Sequence, residues 1–216
     1  MTGTSQAGEA GGNSRDDPTP SPAVSLPDGS ELRRALDEYP DTIERQGVKK
    51  LPDLDFWYRQ ELPRSIAARS TAHLTGPELV RLTEWKMARG VWRAPNLALV
   101  RQNSDDDVRA TSTEALSRIP HPTSPISELA KLKGIGPATA SAAIAAAAPD
   151  RYPFFDELVA EQLPGLGPVA WTLTYYERYA DALRDAANAL GDDWTPTDLE
   201  RALWSYVGGK VGAKPV

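Results

Sequence analysis

Cysteine is absent from the chain, and histidine occurs only twice, as His73 and His121. No disulfide framework, thiolate zinc site or cysteine-bound iron–sulfur cluster can form, and a histidine-rich metal site is excluded with them. Also missing is any apolar run long enough to span a bilayer. The first residues lack the hydrophobic core of a secretory signal. The expectation is an intracellular protein, nuclear if eukaryotic and cytoplasmic if bacterial. Positive charge is scarce as well: 24 Lys and Arg stand against 30 Asp and Glu, a net charge of −6. That counts against a grip on nucleic acid spread over the whole surface, so any such surface must be a local patch.

What remains is a helix-forming chain of 216 residues, 40% of them hydrophobic, enough for one domain with a core. Residues 1–28 are rich in Gly, Ser, Thr, Pro and Asp and read as a disordered tail, since they cannot bury enough apolar surface to offset ordering. Residues 29–212 predict an all-α, multi-helix domain. Ser30 is placed to cap a helix that runs to about Glu38, where Pro40 interrupts it. Asp53 is placed to cap another, over 54–62, and at least two of its Phe56-Trp57-Tyr58 trio belong in a core. In Thr75-Gly76-Pro77-Glu78, a cap, a first-turn proline and a capping-box glutamate start a helix that Gly90 ends. Asn103 is a C-cap for a short helix over 96–102, and Asp105 to Asp107 open the next at its positive end.

Between Arg81 and Arg101 the chain carries Arg81, Lys86, Arg89, Arg93 and Arg101 against Glu84 alone, interleaved with Trp85 and Trp92. Such a mixture suits a nucleic-acid backbone with stacked bases. It equally suits a solvated helix face whose tryptophans pack inward. Arg89 and Arg93 are the candidates for a contact surface.

The stretch around which the rest is organised lies at 126–148. A short amphipathic segment with Ile126, Leu129 and Leu132 is followed by Lys133-Gly134-Ile135-Gly136-Pro137 and then by an alanine-rich helix. Two glycines around one apolar residue predict a tight turn. Pro137 falls where a helix starts and its missing N–H is not needed. Helix, glycine hairpin and helix would aim backbone N–H groups and a positive helix end at one spot, which suits a phosphate and carries no base information. A second glycine run, Leu163-Pro164-Gly165-Leu166-Gly167-Pro168, reads as a loop joining two helices, with a second hairpin as the minority alternative.

The pattern Leu132-Lys133-Gly134-Ile135-Gly136, a small-residue helix, and then Tyr152-Pro153-Phe154-Phe155-Asp156 resembles the helix-hairpin-helix DNA glycosylase superfamily, which includes endonuclease III and the adenine glycosylases. The resemblance covers roughly residues 124–163. It implies DNA as partner, held through the phosphate backbone with little sequence selectivity at Lys133, Gly134, Ile135, Gly136, Ala138 and Thr139. A monovalent cation at the hairpin carbonyls is also implied, whereas no iron–sulfur cluster is expected. Asp156 stands at the position of the family's catalytic aspartate, where a carboxylate stabilises the sugar cation that forms as the N-glycosidic bond breaks. Ala138 stands where bifunctional members carry a lysine, so a glycosylase here would be monofunctional. Asp156 also precedes a helix, and capping alone would account for it. The expectations are therefore a DNA glycosylase, a non-catalytic DNA-binding module, or a protein-interaction module with a similar fold.

Overall fold

A computed structural model describes residues 25–212, and among them every regular element is helical. Most of the tail expected to be disordered lies outside the described residues. The first helix, α1 (Gly29–Asp37), is capped by Asp28, not by Ser30. The Asp28 carboxylate accepts from the N–H groups of Ser30 and Glu31, and Glu31 returns the bond to the Asp28 N–H. Pro40 does not interrupt a helix but sits in the first turn of α2 (Tyr39–Arg45), where no N–H is required.

The expected helix over 54–62 starts three residues earlier, as α3 (Leu51–Phe56), so Asp53 lies in a first turn and caps nothing. A π-helical turn, Trp57–Glu61, joins it to α4 (Leu62–Ala67). The register slip has a local cause. Pro63 has no N–H to give the carbonyl four residues back, and the Leu62 N–H bonds the Trp57 carbonyl five back. Trp57 and Tyr58 are buried and Phe56 is exposed, so two of the trio are core.

Next comes α5 (Gly76–Arg89), opened by the Thr75/Glu78 capping box and stopped at Gly90 as its sequence predicts. Then follow α6 (Ala94–Val100) and α7 (Asp105–Ser117), the latter capped by Ser104 with the three aspartates in its first turn. The last six are α8 (Ser124–Leu129), α9 (Pro137–Ala147), α10 (Glu157–Ala160), α11 (Leu173–Leu190), α12 (Pro196–Tyr206) and α13 (Gly209–Gly212).

At the centre lies α9, in which every residue from Ala138 to Ala146 is buried. Its small side chains let α4, α5 and α8 approach it closely. The Tyr58 hydroxyl donates to the Ala142 carbonyl at 2.8 Å, which ties the π-turn to its middle. Ser141 ties it to the chain that follows: its hydroxyl donates to the Ala138 carbonyl and accepts from the Phe155 N–H, both at 2.9 Å. Phe155 is thereby set among Tyr175, Tyr176 and Tyr179 of α11, and Asp156 is left at the edge of the core.

Candidate nucleic-acid interface

The turn between α8 and α9 is clamped by two asparagines, Asn96 in the first turn of α6 and Asn103 just past its last. Asn96 donates to the Gly134 carbonyl at 2.9 Å. Asn103 grips Lys133 from both sides, accepting its N–H at 2.9 Å and donating to its carbonyl at 3.0 Å. It also donates to the Val100 carbonyl at 2.8 Å, although α6 ends at Val100, earlier than expected, and its C-cap residue is Arg101, not Asn103. Of the two glycines, only Gly134 needs to be one for its backbone, at φ +73°. A Cβ there would lie 2.8 Å from the Asn96 carbonyl oxygen and 2.9 Å from a Val100 methyl. Gly136 has φ −98° and open space where a Cβ would go. The carbonyls of Leu132, Lys133 and Gly134 each accept a hydrogen bond already, so a cation there would compete with Asn96, Asn103 and the Ile135 N–H.

Gly136 is the N-cap of α9 and offers no side chain to its first turn. The N–H groups of Gly136, Ala138 and Thr139 have no partner among the described residues. Neither has the Thr139 hydroxyl, although Thr139 is only 3% exposed. These groups open onto a groove of about 200 Å³ whose lining includes Lys86, Arg93, Asn96 and Trp171. Of the residues expected at a phosphate, the structure brings Gly134, Gly136, Ala138, Thr139 and Arg93 to this groove. Lys133 is exposed beside the turn, and the Ile135 side chain turns into the core.

Arg89 is a correction. It is 1% exposed, enclosed by Trp85, Phe154 and Trp204, and its guanidinium lies 2.6 Å from the Glu200 carboxylate. It offers no surface to a partner. Burial, the largest single influence, works against its charge, yet Glu200, Tyr39 and Asp156 together outweigh that and hold it protonated above the usual arginine range. Burial likewise pushes the Glu200 carboxyl up, against the pull of Arg89 and Arg59. One turn earlier on the same helix, Lys86 faces the groove. Its ammonium is held below the usual lysine range, first by burial and then by Arg93.

Lys86, Asn96, Pro137 and Trp171 also line the groove, and of these the Lys86 and Trp171 side chains were not singled out by the sequence. Lys86 stood within the basic segment, undistinguished from its neighbours. Trp171 looks like part of a long helix over 169–187, but the helix begins at Leu173 and Thr172 is its cap. The signal for it was that threonine. The glycine run before it repeats the left-handed residue of the first turn, with φ +76° at Gly165, and is followed by a loop to Thr172, not by a helix.

Asp156 lines a separate cleft of about 80 Å³ that shares Lys86, Arg93 and Trp171 with the groove. One carboxylate oxygen accepts the Leu158 N–H at 2.9 Å, so Asp156 does cap α10. The other lies 3.9 Å from the Arg89 guanidinium. Its side chain is 13% exposed. Behind it, an alternating row of buried charges runs from Asp156 through Arg89 and Glu200 to Arg59 and Asp55. No cluster of three or more His, Cys, Asp or Glu able to hold a metal occurs among the described residues, and no helix there is long and apolar enough to cross a membrane. The chain matched no protein-family model, no curated protein and no solved structure.

Proposed function

We propose that this protein binds DNA without catalysis, taking a backbone phosphate into the groove at the start of α9. The observation that carries this reading is the convergence there of three unpaired amides and the unpaired Thr139 hydroxyl, with Lys86 and Arg93 on the rim. Amides at a helix N-terminus hold an anion through directed hydrogen bonds and the field of the helix. The resemblance of residues 124–163 to the helix-hairpin-helix glycosylases supports the same assignment. Contacts of this kind position a duplex and do not read it.

Binding should weaken with added salt, in proportion to the phosphates neutralised. Charge reversal at Arg93 should flatten that salt dependence, whereas Arg89 variants should leave it unchanged. A salt-independent affinity, or capture of proteins with no DNA, would favour the protein-interaction module.

A second reading, monofunctional base release with Asp156 stabilising the sugar cation, is favoured by the cleft it shares a wall with beside the groove. Against it stand the capping of Leu158, the nearby Arg89 and a cleft far below the roughly 300–1,000 Å³ of sites that engulf small molecules. The deciding assay is base release from a panel of damaged and mismatched duplexes. The non-catalytic reading requires none. If release is seen, Asp156→Asn should reduce it on the order of a hundredfold or more while DNA binding persists.

A further inference from the structure

We infer that the groove takes an unpaired nucleotide, its phosphate on the α9 amides and its base stacked on the open face of Trp171. This rests on the DNA-binding reading and adds to it which form of DNA is preferred. The Trp171 ring is backed by Phe155, with centroids 4.8 Å apart, and is still 46% exposed. What sets Trp171 apart from the other exposed apolar side chains is its place beside a row of unpaired donors, where a flat aromatic face and anion-binding groups meet. The chemistry next to it points to the ligand: Lys86, Arg93 and Trp171 all line both the groove and the Asp156 cleft. Cations and amides suit a phosphate, and a flat aromatic face suits a base, whichever base it is.

Two further observations narrow the choice. Trp92 is as exposed as Trp171, but the Lys50 ammonium already covers its ring at 3.9 Å and it lines neither cavity. The Asp156 cleft, at about 80 Å³, is too small to enclose a base, so the base rests on Trp171 and does not enter. In an intact duplex every base face is already stacked. The strand that satisfies the site is single, frayed or gapped.

The test compares three probes at low salt: a short oligothymidylate, the same strand built of abasic residues, and a fully paired duplex. Wild type should bind the oligothymidylate on the order of tenfold more tightly than the abasic strand, with quenching of tryptophan fluorescence. Trp171→Ala should bring these two affinities together and leave duplex binding unchanged. Trp171→Phe should restore most of the preference, which a merely structural role would not do. Circular dichroism of each variant confirms that the fold persists. Equal binding of thymidylate and abasic strands by wild type overturns the stacking proposal alone. Failure of wild type to bind any of the three overturns the DNA-binding reading with it.

Discussion

Arg89 and Glu200 lie 111 residues apart in the chain and meet in the core, guanidinium to carboxylate, at 2.6 Å. Two guanidinium nitrogens of Arg89 and one Glu200 oxygen have no hydrogen-bond partner, and aromatic rings fill the space around them. Breaking such a pair strands a charge away from water. Glu200→Gln is expected to lower unfolding free energy by about 3–5 kcal/mol, measured by urea denaturation. Replacing both partners by methionine removes the need for pairing and should come out neutral or up to about 4 kcal/mol more stable. A double variant as unstable as the single one would show that the pair, and not its burial, holds these helices together.

The two hairpin glycines should behave differently. Gly134→Ala meets a backbone oxygen and two side chains at 3.0 Å or less, at φ +73°, and is expected to cost at least about 1–3 kcal/mol. Gly136→Ala meets nothing within 4 Å, so it should cost only the poorer N-cap preference of alanine, at most about 1 kcal/mol. Thermal melts of the two variants check this.

Asn103 makes three hydrogen bonds to backbone, two of them to Lys133. Asn103→Ala removes the side-chain partner of the Lys133 N–H and carbonyl and of the Val100 carbonyl, groups that water can reach, a loss of about 0.5–1.5 kcal/mol. The turn should loosen before the core does. Hydrogen exchange at the Lys133 amide should therefore rise by more than exchange within α9.

The groove should also respond to pH. Burial and Arg93 hold the Lys86 ammonium below the usual lysine range, with Asp156 and Glu157 opposing them. Lys86 therefore sheds its proton, and the groove one positive charge, at a lower pH than an exposed lysine would. DNA affinity should fall as pH rises through that point. Lys86→Arg should hold its affinity through the same range. Identical titrations of the two proteins would remove Lys86 from the interface.

Whether a feature was legible in the sequence depends on how far away its cause lies. The Thr75 and Glu78 box was readable because the two capping partners sit within three residues of each other, and the start of α9 because Pro137 fits a first helical position that needs no N–H. At α1 two residues competed for the same role, and Asp28 took it because its carboxylate reaches both Ser30 and Glu31. Arg89 could not be placed from its own neighbourhood. Nothing between Arg81 and Arg101 tells which of five cations will find a carboxylate on α12. Trp171 was hidden differently: a loop of five residues separates the second glycine turn from α11, and loop length leaves little trace in apolar periodicity.

Helix α9 has no wet side. Along most helices, water on the outer face dampens the electric field of the aligned peptide units; here alanines and their neighbours exclude it from Ala138 to Ala146. Part of the positive character at the start of α9 thus belongs to the main chain, where salt can screen it but no protonation event or side-chain replacement at the rim can remove it. Under the proposed DNA-binding reading, a phosphate there would be held in part by the buried scaffold, with Lys86 and Arg93 at the edge adjusting the strength.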